Sequence, residues 1–114
     1  MGMVFGFGQH RRRMLEAELA RIAGELPALG AMATYLVSDF ARTPVQPDTE
    51  LELLVVRDSD EAFHRRPDFF LSHIRPRLGV RLFVYTPDEF DRLAATDPLI
   101  RRARARGVVV DGPA

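Results

Sequence analysis

A chain of 114 residues fits one domain with a modest core, and its 46% apolar and 28% charged residues are those of an ordinary globular protein. Sixteen basic and sixteen acidic residues cancel, which removes any general attraction to nucleic acid or to an anionic membrane. The absence of cysteine excludes disulfides, thiol catalysis and thiolate zinc sites. No apolar run approaches the roughly 18 residues that a membrane span needs. Neither a signal-peptide pattern nor a myristoylation pattern opens the chain, Gly6 standing where the latter needs Ser or Thr. The cytoplasm is the expected location. Every basic residue is arginine. Arginine grips phosphate bidentately, but a codon bias explains the usage better. The absence of lysine excludes a Walker-type phosphate loop.

In chain order, "MGMVFGFGQ" is apolar and glycine-punctuated without a period, and residues 1–10 read as an N-terminal tail or a small hydrophobic docking patch. From Arg11, Met14, Leu15, Leu19, Ile22 and Leu26 recur at helical spacing, and Pro27 and Gly30 close that helix. "AMATYLV" reads as a strand and "SDFARTPVQPD" as a loop with one helical turn. Residues 50–57 form a second strand whose apolar tail, Leu53 to Val56, predicts cover on both faces. A helix follows with Pro67 in its first turn and Gly79 at its end. Val80 to Tyr85 is a strand, and Thr86, Pro87 and Glu89 spell a capping box. Asp97 and Pro98 start a last helix that Gly107 stops, and "VVVDG" is a final short strand. The order is α-β-(turn)-β-α-β-α-α-β, with no repeat and no linker, so that residues 11–112 form a single domain.

In "TELELLVV", Glu50 and Glu52 are two apart on a strand and project from one face, their Cα atoms roughly 6.5–7 Å apart. The run "YLVSDFARTPVQPDTELELLVV" resembles, without a gap, the signature of minimal nucleotidyltransferases. That signature is aromatic-Leu-Phe-Gly-Ser, x-Ala-Arg-Gly, a short loop, then Ser-Asp-hydrophobic-Asp-Leu and an apolar strand. Tyr35, Leu36, Ala41, Arg42, Pro47, Leu53, Leu54, Val55 and Val56 fit it as they stand. "GVRLFVYTPDEF" resembles the third active-site strand and following helix of that family, and "DPLIRRARARGVVV" its C-terminal helix and strand. The resemblance covers residues 15–111. It implies an α/β (α+β) fold of the nucleotidyltransferase type, a small mixed sheet with helices mainly on one face.

In such enzymes the Gly-Ser turn cradles nucleotide phosphates, paired aspartates bind magnesium, and a third carboxylate on the later strand completes the metal site. Here Ser38 and Asp39 replace the Gly-Ser pair, which puts a negative charge where a triphosphate lies. Serine also lacks the dihedral freedom and close backbone approach of glycine. Glu50 and Glu52 replace the aspartates, each reaching one methylene further, and magnesium tolerates displaced ligands poorly. Arg81 stands at the third carboxylate, where a cation can neither ligate a metal nor act as a base. Thr43 replaces the glycine after Arg42. The resemblance therefore gives Ser38, Asp39 and Arg42 as nucleotide-binding positions. It makes Glu50 and Glu52 a vestigial catalytic and metal pair, and Arg81 their expected ion-pair partner.

Plainer readings stand beside these. Glu50 and Glu52 also suit the solvent edge of a half-exposed strand. His10, His64 and His73 show no metal spacing, and Ser38 beside Asp39 has no histidine placed to complete a triad. Arg11 to Arg13, and Arg101, Arg102, Arg104 and Arg106, read as solvated faces, the second set favoured by a helix C-terminus. Their functional alternative is a surface for an acidic or phosphate-bearing partner. Three functions follow from these readings. One is a catalytically degenerate nucleotidyltransferase that binds a protein partner or, weakly, a nucleotide, without a cofactor. The second is an active magnesium-dependent AMP transferase that modifies a small helical partner protein. The third is an unrelated α/β interaction module. The apolar start adds self-association as a further expectation.

Overall fold

The computed structural model describes residues 2–38, 40, 44–106 and 109–111, with side chains for 8–38, 40 and 44–106. Helix α1 spans Gly2–Glu25, strand β1 Ala33–Leu36, β2 Leu51–Val56, α2 Arg66–Ile74, β3 Val80–Tyr85, α3 Pro87–Arg92, α4 Pro98–Arg106 and β4 Val109–Asp111. The protein is a mixed α+β domain, in the element order that the sequence predicts. Its four strands run β3-β2-β1-β4 across the sheet. β1 is antiparallel to both β2 and β4, and β2 is parallel to β3, which makes the sheet mixed.

The unbroken apolar tail of β2 has the physical cause expected of it. Leu51, Leu53 and Val55 point to one face, where they pack with Leu15, Ile22 and Leu26 of the α1 region and Phe70 and Ile74 of α2. Leu54 and Val56 point to the other, against Phe90 of α3 and Ile100 and Ala103 of α4. A strand buried on both faces has no solvent side to alternate towards. The longer helical cover, 24 and 9 residues in α1 and α2, lies on the first face, and α3 and α4 add 6 and 9 residues on the second. Met14, placed by spacing on the apolar stripe of α1, lies off it and is 39% exposed.

Two helix ends differ from the sequence reading. Periodicity starts the first helix at Arg11, but α1 begins at Gly2. Once a helix is nucleated, each further turn costs little, and Gly8, with open space around it, is carried along at about 1 kcal/mol. α2 stops at Ile74 rather than at Gly79, because Pro76 cannot continue it and disfavours helical geometry in the residue before. Arg75 closes the helix in the left-handed conformation, φ 51°.

The N-terminal caps match their sequence signals, and Gly107, expected to stop the last helix, lies outside the described residues. Thr86 Oγ1 accepts from the Glu89 N–H at 3.2 Å, and Glu89 Oε1 accepts from the Thr86 N–H at 2.9 Å. Asp97 Oδ1 accepts from the N–H groups of Leu99 (2.8 Å) and Ile100 (3.3 Å). Gly30 turns the chain from α1 into β1 with φ 94°, a value that glycine adopts without strain. Among the described residues no helix is long and apolar enough to cross a membrane.

Candidate functional site

Because β1 runs antiparallel to β2, and β3 parallel to it, the end of β1 and the starts of β2 and β3 meet at one end of the sheet. Ser38, Glu50, Glu52 and Arg81 gather there. In the parallel register Glu52 lies directly beside Arg81, at the strand spacing of about 4.8 Å. Alternation puts Glu52 on the face of Leu54 and Val56, and Arg81 on the face of Phe83 and Tyr85. Both side chains therefore stand on the α3–α4 side of the sheet.

Glu50 sits one residue before β2, and its side chain folds across Gly79. A Cβ built on that glycine would lie 2.8 Å from Glu50 Cγ and 2.6 Å from its Oε2. The absence of a side chain at 79 therefore lets the carboxylate approach β3. Its Oε1 lies 3.4 Å from Arg81 Nη2, the ion pair that the sequence leads one to expect. The partners are 41% and 62% exposed, and at that exposure such a pair contributes about 0–1 kcal/mol. Its consequence is chemical rather than energetic: one of the two glutamates already has a cationic partner from within the protein.

Ser38 fastens the β1–β2 ladder. Its Oγ accepts from the Glu52 N–H at 3.0 Å, while the N–H groups of Val37 and Ser38 donate to the Glu52 carbonyl at 2.7 and 3.3 Å. The hydroxyl oxygen is thus committed to the backbone of the carboxylate strand. Asp39 and Arg42, together with Ala41 and Thr43, lie outside the described residues. Arg106, read from the sequence as part of a solvated cluster, reaches this end of the sheet: its Nη1 donates to the Val37 carbonyl at 2.7 Å. Only the tertiary fold brings the last turn of α4 over the end of β1.

The three histidines are exposed and separate, and among the described residues no group of three or more His, Asp or Glu side chains is arranged to hold a metal ion. A magnesium ion requires an octahedral set of oxygen ligands. Among the described residues this sheet end supplies two glutamates and, where the resemblance expects a third carboxylate, a guanidinium without a lone pair. This donor set does not fit the ion.

The strongly perturbed ionisable groups belong to structural pairs elsewhere. The Arg66 guanidinium holds the Glu89 carboxyl down to about 2, with the capping bonds of Thr86 assisting. Arg66 itself is buried, donating also to the carbonyls of Glu61 and Val84. Arg21 lowers the Glu18 carboxyl, which also accepts from the Arg77 N–H. Burial, and then the Asp97 carboxylate bonded to its hydroxyl, push Tyr85 above the ordinary tyrosine range. Each of these groups holds two elements together. An open hollow of about 220 Å³ between α1 and the α2–β3 connection is lined by Met14, Ala17, Glu18, Arg21, Arg77 and Leu78. It contains none of the sheet-end residues.

Set against known proteins, the chain matches no family model, no curated protein and no solved structure.

Proposed function

We propose that this chain is a nucleotidyltransferase-type domain in which catalysis has given way to binding. Its principal ligand would be a protein partner, and any nucleotide would bind weakly and without a metal ion. The observation that carries the reading is Arg81, in register beside Glu52 and 3.4 Å from Glu50. The resemblance expects the third carboxylate at this point, and a cation there removes both a metal ligand and the base. Losing one component of a catalytic unit commonly removes most of the rate. Further support comes from the meeting of β1, β2 and β3 at one end of the sheet, the juxtaposition that a site built from "YLVSD", "TELEL" and "GVRLF" requires. The apolar scaffold under it is intact, with Leu53, Leu54 and Val55 fully buried. The compartment proposed with this reading is the cytoplasm.

The test is calorimetric titration of the purified protein with ATP, with and without excess magnesium or manganese. The expected result is no metal-dependent binding. Metal-dependent binding in the micromolar range, about −8 kcal/mol or better, would overturn the proposal and make the chain an active transferase using Glu50 and Glu52.

A further inference from the structure

Arg81 stands on β3, at the outer edge of the sheet, with its side chain 62% exposed, so its replacement unpacks nothing in the core. On its inner side lie two carboxylates, one on β2 and one just before it, whose positions are fixed by different means. Glu50 is drawn towards β3 across Gly79. Glu52 is held through its main chain, its N–H donating to the Ser38 hydroxyl and its carbonyl accepting from Val37 and Ser38. Given a rise of about 3.3 Å per residue and a strand spacing of about 4.8 Å, positions 50 and 52 lie about 7 Å apart, 52 and 81 about 5 Å, and 50 and 81, on the diagonal, about 8 Å. Side chains at such separations can share one small cation.

We infer that the Arg81 guanidinium is the resident counter-ion of this sheet end. It holds the place beside Glu50 and Glu52 that a divalent cation would fill, and an aspartate at 81 would convert the same residues into a divalent-cation site. The inference rests on the proposed reading of this sheet end as a former metal site, and it extends that reading by assigning what took the ion's place. Arginine suits the task because it is charged at every accessible pH and needs no dehydration equilibrium or metal supply. The existing oxygen donors lack only a third carboxylate to suit a hard ion such as manganese.

The test is manganese titration of the full chain without nucleotide, the free ion being followed by its electron paramagnetic resonance signal. Wild-type protein, Arg81→Asp and the double variant Glu50→Gln/Arg81→Asp are compared, and far-ultraviolet circular dichroism verifies folding. The expected result is one manganese bound by Arg81→Asp about tenfold more tightly than by wild type, as for a site that gains a charged oxygen ligand, with the gain lost in the double variant. Wild type binding as tightly as Arg81→Asp would overturn the inference. So would a folded Arg81→Asp that gains nothing, or a double variant that keeps the gain. Should Arg81→Asp fail to fold, Arg81→Asn supplies an uncharged oxygen ligand of the same length; a gain of about threefold is then expected, and none refutes the inference. The ATP titration is decided on wild-type protein with nucleotide and this one on variants without it, so that a failure of the inference alone is distinguishable from a failure of the reading beneath it.

Discussion

Replacing Glu89 by glutamine breaks the ion pair that joins α2 to α3. In the native protein Glu89 Oε1 lies 2.6 Å from Arg66 Nη1 and also accepts from the Thr86 N–H, while Oε2 lies 3.1 Å from Nη2. Glutamine keeps one oxygen for these donors and turns an NH2 group towards the second guanidinium nitrogen. The Arg66 side chain is 8% exposed and that of Glu89 24%, so the charge left behind is poorly solvated. The carboxyl is held from its ordinary 4.5 down to about 2, which at 1.36 kcal/mol per pH unit corresponds to about 3 kcal/mol. Solvent at the Glu89 end, and the Glu61 and Val84 carbonyls that still accept from Arg66, reduce the expected loss to about 2–3 kcal/mol at neutral pH. The assay is urea denaturation of wild type and Glu89→Gln across pH. A carboxyl with a depressed folded pKa contributes its stability above the unfolded value, near 4.5, and loses it as pH falls towards 2. The difference between the proteins must therefore be full at neutral pH and shrink below about pH 4.5. A variant within about 0.5 kcal/mol of wild type at neutral pH, or a gap that persists unchanged into acid, would refute the reasoning.

Three further outcomes follow from the same contacts. Gly79→Ala must push Glu50 off its path, since the added Cβ falls 2.8 Å from Glu50 Cγ; because that side chain is half-exposed and its pair with Arg81 contributes little, a loss of less than about 1 kcal/mol in urea is expected, and the alanine should cost nothing extra once Glu50 is itself alanine. Glu50→Gln alone should change stability by less than about 1 kcal/mol, because the exposed pair with Arg81 contributes little; a larger loss in the same assay would mean that the carboxylate has a structural role beyond this pair. Tyr85→Phe removes the 2.7 Å bond to Asp97 Oδ2 and should cost about 1–2 kcal/mol. A raised folded pKa contributes stability that is complete below the unfolded value near 10 and is lost as pH rises above it; spectrophotometric titration of the wild-type protein should therefore show one of its two tyrosines ionising only above the ordinary range.

What the sequence made legible was local or carried by period. The capping box at Thr86 is four residues long and acts within one turn. The apolar run of β2 needs only its own residues to signal burial on both faces. The in-register pair of Glu52 and Arg81 is a different case, because it became legible only through a resemblance that ordered the strands. Spacing alone says nothing of which strand lies beside which. The end of α2 was missed because Gly79 looked like the stop, whereas the helix had already been ended by Pro76 and the left-handed Arg75.

The arginines were the least legible residues, and the reason is geometric. Read as charges they make a solvated stripe, and Arg13, Arg101 and Arg102 are indeed exposed. Yet Arg11 donates to the Thr49 carbonyl, Arg12 to Phe40, Arg21 to Ile74, Arg57 to Leu29, Arg66 to Val84, Arg104 to Phe90 and Arg106 to Val37. Each fastens a backbone carbonyl on another segment of the chain, and several of these carbonyls lie at strand ends, in loops or at helix C-termini, where ladder and helix bonds run out. The contacts span up to 69 residues, so no local pattern could announce them. A planar fork with five donors can bind a carbonyl and a carboxylate together, as Arg21 does with Ile74 and Glu18. A lysine ammonium offers fewer donors without that fixed geometry. Abundance alone does not account for arginines placed on carbonyls across the fold, and Arg81 beside Glu50 is the same device applied to a carboxylate.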